Sequence, residues 1–179
     1  MLYLRLPLCN NPATLLLKGN CDKLKLRLNT SGECFMNTLE SAINKCLEDL
    51  RLRAGADFSA LALQESREST IRWKYAVGNK NERFRRIVLR LGKGIAGKVL
   101  MSGRPMVLEH YEPRQHEDPQ EYPILYAEEL QSALGVPVLT KGKVKGVLLV
   151  GYRTPYVIEE VVIDLSKRVA TELENSIDF

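Results

Sequence analysis

At 179 residues, with 45% hydrophobic and 27% charged content, the chain has the make-up of one globular domain with a sizeable core. Its net charge of +4 is uneven: Arg5, Lys18, Lys23, Lys25 and Arg27 outweigh Asp22 and Glu33 in the first 35 residues, and the remainder is near neutral, which argues against a nucleic-acid-binding surface. No apolar run approaches the roughly 18 residues of a membrane span, and Arg5, Pro7, Asn10-Asn11-Pro12 and Lys18 interrupt any signal-peptide core, so the expected location is cytoplasmic.

Residues 1–35 carry Asn, Pro and Gly breaks and no sustained period, and read as an N-terminal extension in which Thr14–Leu17 and Leu24–Leu28 can form a short hairpin. The second unit, 36–179, is regular. Asn37 and Glu40 make a capping pair, and Leu39, Ile43, Leu47 and Leu50 follow at helical spacing. After Ala54-Gly55-Ala56, Asp57–Gln64 predicts a strand. Ile71–Val77 alternates, placing Ile71, Trp73, Tyr75 and Val77 on one face. Phe84–Leu91 is strand-like, with Ile87–Leu91 the third strand, and Pro105–Leu108 is the fourth.

Glu109–Glu121 is a polar loop and Pro123–Gln131 a short helix. Ala133–Leu139 and Val144–Tyr152 flank Thr140-Lys141-Gly142-Lys143 as a hairpin. Thr154 as cap and Pro155 in the first turn open a terminal helix with Ile158, Val161, Val162, Leu165, Val169 and Leu173 as its apolar stripe. Together these elements predict an α+β domain, an antiparallel sheet flanked by helices, with the N- and C-terminal helices packed together and their outer surfaces free to serve a homodimer.

The four cysteines, Cys9, Cys21, Cys34 and Cys46, have no C-x-x-C spacing, and His110 and His116 lie far from them, so they read as thiols rather than metal ligands. No cysteine lies between residues 47 and 179, which removes a cysteine nucleophile from that stretch. His116-Glu117-Asp118 reads as a solvated charge run.

Gly92-Lys93-Gly94-Ile95-Ala96-Gly97 follows a strand and opens a helix. Glycines there let the backbone approach a small ligand, and the unpaired N–H groups of a first helical turn form an anion cradle. A tight turn with no ligand explains the glycines equally well. Two features converge on the loop. Trp73, the sole tryptophan, offers one N–H donor and no acceptor, although core packing also accounts for it. Tyr122-Pro123-Ile124 begins a second helix whose first free amide is that of Ile124. Amides, one indole and apolar walls suit a monovalent, planar oxyanion better than phosphate or sulfate, because an unpaired buried charge is costly and two are more so.

These residues resemble a family. The block Ile71–Asn79, the run Phe84–Gly97, Tyr122-Pro123-Ile124, and Gly135-Val136-Pro137-Val138 with Val144–Gly151 are similar to the NreA family of GAF-domain nitrate receptors, over roughly residues 37–175. The resemblance implies a GAF-like fold and a non-enzymatic sensor without a cofactor. It implies nitrate as ligand in a closed pocket formed by Trp73, Ile95, Ala96, Tyr122, Pro123 and Ile124. Its partner would be an oxygen-sensing histidine kinase of the NreB type, whose autophosphorylation it modulates to regulate nitrate respiration through a two-component system. The alternatives are a GAF module binding another small ligand, a protein-interaction scaffold, or an enzyme similar to free methionine sulfoxide reductases. Nothing in the resemblance extends to residues 1–35.

Overall fold

A computed structural model describes residues 32–65, 70–112 and 121–176; the hairpin expected within residues 1–31 lies outside them. Two strands with apolar residues on both faces, β1 (Phe58–Gln64) and β6 (Lys143–Tyr152), form the centre of a six-stranded antiparallel sheet. Beyond β1 lie β2 (Thr70–Val77) and β3 (Val88–Arg90), and beyond β6 lie β5 (Ser132–Thr140) and β4 (Met106–Leu108), giving the order β3-β2-β1-β6-β5-β4. The β5–β6 hairpin closes through Lys141 and Gly142, both left-handed, as a two-residue hairpin turn requires.

The sheet separates two cores. On one face α1 (Gly32–Arg53) and α4 (Glu160–Ser176) pack together over Leu61, Leu134, Val136, Leu148 and Val150. The predicted helical stripe of α1 is confirmed, with Ile43, Leu47 and Leu50 buried against this face. On the other face α2 (Gly94–Ser102) and α3 (Pro123–Glu128) cover Ala60, Ala62, Trp73, Val147 and Leu149. The α+β architecture and the pairing of the terminal helices are as expected.

Local details differ for physical reasons. α1 starts at Gly32, so Asn37 lies inside the helix and is not its cap. α4 starts at Glu160, not at Thr154-Pro155. Residues 155–159 stay non-helical because outside groups take their amides: Tyr156 N–H donates to Ser132 Oγ (3.0 Å) and Ile158 N–H to Glu109 Oε1 (2.8 Å). The Glu159 carbonyl then accepts from Val162 and Ile163. Val161 faces solvent, and the buried stripe runs through Val162, Ser166, Val169, Ala170 and Leu173. Phe84–Arg86 belongs to a 3-10 turn (Glu82–Arg86) instead of a strand, because the Asn81 side chain caps it by accepting from Arg83 N–H, while Phe84 is drawn into the core. α3 ends at Glu128, stopped by the left-handed Glu129.

The largest departure concerns β2. Its pairing with β1 steps from Leu61↔Tyr75 to Ala62↔Trp73, which leaves Lys74 as an extra residue. This bulge breaks the alternation. Ile71, Trp73 and Ala76 join the α2/α3 core, whereas Tyr75 and Val77 pack on the α1/α4 side.

Gly97 sits where α2 crosses the preceding loop: Gly92 N–H donates to its carbonyl (2.9 Å), and an added Cβ would lie 2.4 Å from the Arg90 carbonyl oxygen and 3.1 Å from Gly92 N. Both obstacles are backbone. Gly97→Ala is expected to cost about 1–3 kcal/mol by overpacking, read as a lower urea midpoint at unchanged slope.

Candidate functional site

Five of the six sequence-predicted site residues, Trp73, Ile95, Ala96, Tyr122 and Ile124, meet in the α2/α3 core, together with Leu89, Tyr111 and Leu125. β2 supplies Trp73, whose indole is 1% exposed and whose Nε1 has no acceptor among the described residues. An unmade bond of this kind costs about 1–3 kcal/mol. α2 supplies Ile95 and Ala96, both fully buried. Its hydrogen-bond ladder begins with Gly97 N–H to Lys93 O (3.1 Å), so the amides of Gly94, Ile95 and Ala96 precede the ladder at the positive end of the helix. Gly94, at φ 63°, makes the left-handed turn that opens α2.

α3 repeats the arrangement. Tyr126 N–H donates to Tyr122 O (3.2 Å), leaving the Ile124 and Leu125 amides ahead of the ladder, and Pro123 has no N–H. Pro123 lies outside the cluster and lines a surface groove of about 600 Å³ with Leu89, Gly92, Lys93, Gly94 and Lys98. Two helix starts therefore flank one groove, and the residues next along the chain, Ile95 and Ile124, reach the core that contains Trp73.

Two charged groups near these helices carry no signal in the one-dimensional pattern. Lys98, one turn into α2, donates to Tyr122 Oη at 2.6 Å and lies 4.4 Å from the centroid of that ring. It also reaches Glu121 at 3.3 Å. The hydrogen bond to Tyr122 outweighs burial and raises the Lys98 pKa above the ordinary lysine value, so the group is a cation at neutral pH. With the ammonium partly exposed, the cation–π contact contributes only about 0.5–1 kcal/mol. Tyr122 in turn meets Tyr111 edge to face, with ring centroids 5.6 Å apart.

At the other end of α3, Glu128 is fully buried. It accepts the Lys80 N–H (2.8 Å) and meets the Arg153 guanidinium at 3.4 Å. Arg153 also donates to the carbonyls of Glu128 (3.2 Å) and Gly78 (2.7 Å), while its own N–H donates to Asp57 (2.8 Å). This cluster fixes the C-terminus of α3 to the end of β2 and the end of β6. Burial raises the Glu128 pKa despite Lys80 and Arg153. Spacing alone does not mark Lys98 or Glu128; the Lys98 contact requires α2 to lie beside Tyr122, a long-range fact.

A family model described as the GAF domain matches residues 37–178. The chain belongs to the GAF-domain family. This GAF domain is similar to the NreA protein of Staphylococcus aureus, solved in a form mutated in its nitrate-binding site: 38% identity, 69% of this chain and 94% of that chain covered, TM-score 0.64. It is 26% identical over 140 residues to the HTH-type transcriptional activator RamA of Corynebacterium glutamicum, covering 77% of this chain and 49% of the activator, so it spans about half the length of that relative. A type II free methionine-R-sulfoxide reductase from Thermoplasma acidophilum shares the fold at 15% identity, with 78% of this chain and 92% of that chain covered and a TM-score of 0.61. Among the described residues, no helix is long and apolar enough to cross a membrane.

The raised pKa of Glu128 makes the native state bind a proton more readily than the unfolded chain. Its contribution to stability is full below the ordinary glutamate value of about 4.5 and declines as pH rises through the higher native value. Removing the titration by Glu128→Gln is therefore expected to shift the stability difference in favour of the variant as pH is raised from about 4.5 to 7, followed by urea denaturation.

Proposed function

We propose that this GAF domain is a non-enzymatic sensor that binds nitrate between β2 and the starts of α2 and α3. The observation that carries the reading is the Trp73 Nε1 donor, buried and without an acceptor among the described residues, in one cluster with Ile95, Ala96 and Ile124, which follow the first residue of each helix. A nitrate oxygen would accept from the indole, and the amides of Ile95, Ala96 and Ile124 would address the others. The rings and side chains of Tyr122, Pro123 and Ile124 would close the remaining sides.

The surroundings favour a single charge. Apart from Trp73, Tyr111 and Tyr122, the buried members of the cluster are apolar, and Lys98 meets the outer hydroxyl of Tyr122. Partial helix-end charges suit a monovalent anion, whereas a divalent one remains expensive to bury. Similarity to an NreA protein with a nitrate-binding site supports the same ligand. By that resemblance the signal would pass to a sensor histidine kinase of the NreB type in the cytoplasm, within a two-component system controlling nitrate respiration.

Thiol-dependent reduction of a sulfoxide fits less well. Cys46, the cysteine whose side chain is described, packs with the α1/α4 core, across the sheet from Trp73.

Calorimetric titration with nitrate is expected to show saturable one-site binding, with no comparable heat from chloride or sulfate. At one hundred times Kd the ligand should add about 2.7 kcal/mol to stability. Trp73→Phe keeps a buried ring and removes the donor, and should weaken binding about tenfold or more, the worth of a hydrogen bond to a charged group. Ala96→Leu, at a fully buried position, should abolish it. A folded protein giving no nitrate-specific heat contradicts the proposal.

A further inference from the structure

We propose that Lys98 is a latch on the access path of the anion: it sets how fast the ligand exchanges without itself holding the ligand. The groove lined by Leu89, Gly94, Lys98, Glu121 and Pro123 is the outer side of the two helix starts, since Gly94 and Pro123 are the immediate neighbours of Ile95 and Ile124. Leu89 extends from the groove into the core shared with Trp73. An anion entering between α2 and α3 thus passes the point where Lys98 Nζ spans to Tyr122 Oη at 2.6 Å and covers its ring at 4.4 Å.

The two partners are unequal. Tyr122 is 7% exposed and its ring is met edge-on by Tyr111, whereas the Lys98 side chain is 35% exposed and has solvent to swing into. The moving part is therefore the lysine. Even without Lys98, Arg90 and Lys93 outnumber Glu121 around the groove, so it attracts anions whether or not the latch is present. Once the lysine has moved, the path leads to the helix starts and the indole, and its return covers the bound ligand.

This deepens the nitrate reading, but one arm of its test is independent of nitrate. Trp73 is the sole tryptophan, so quenching of intrinsic fluorescence by neutral acrylamide reports access to the buried site. Lys98→Met should raise the quenching constant about two- to fivefold, the factor expected for losing one exposed cation–π contact. Tyr122→Phe, which removes only the hydroxyl, should raise it too. The double variant should add nothing beyond the larger single effect, and Lys98→Arg should restore low quenching. In stopped-flow nitrate binding, Lys98→Met should speed association and dissociation by the same factor, leaving Kd unchanged.

Unaltered quenching in both single variants, or strictly additive effects in the double, overturns the latch. So does a Lys98→Met protein that binds nitrate more weakly at an unchanged association rate, which would make Lys98 a ligand for the anion. A wild-type protein that ignores nitrate removes the proposed function, and the acrylamide arm still decides the latch.

Discussion

The extra residue in β2, Lys74, decides what each aromatic of that strand meets. With strict alternation Trp73 and Tyr75 would share a face of the sheet. The bulge instead sends Trp73 to the α2/α3 core and Tyr75 to the α1/α4 core. Everything at the candidate site follows from that separation. The indole is buried in one core with Ile95, Ala96 and Ile124, and α1 and α4 pack on the opposite face of the sheet.

Close backbone packing holds the other half of the site in place. Gly97 lets α2 lie against the turn at Arg90–Gly92, which brings the amides of Ile95 and Ala96 to the core. α3 is only one and a half turns long and is fixed at both ends, by Lys98 on Tyr122 and by Arg153 and Lys80 on Glu128. These contacts differ in kind. The first is partly exposed and weak, suited to opening. The second is buried and ties α3 to the ends of β2 and β6, strands that also contact α1 and α4.

Much of this was legible in the sequence because it is local. Strands β1, β5 and β6, the hairpin turn and the glycine-flanked start of α2 rest on patterns within a few residues, and the motifs around Trp73, Gly94–Gly97 and Tyr122–Ile124 pointed to one family. Features set by distant partners were not legible. The start of α4 depends on Ser132 and Glu109 capturing amides of the preceding segment, and the fate of Tyr75 depends on register with β1. Lys98 and Glu128 acquire their roles only through contacts 24 to 48 residues away along the chain.

The central claim is that the Trp73 N–H is a ligand donor, and its indole gives a single, unambiguous signal in a 15N–1H correlation spectrum because the chain holds one tryptophan. Titration with nitrate is predicted to move that proton downfield together with the Ile95 and Ala96 amides, while sulfate at the same ionic strength leaves all three in place. An indole resonance unmoved at saturating nitrate would contradict the account.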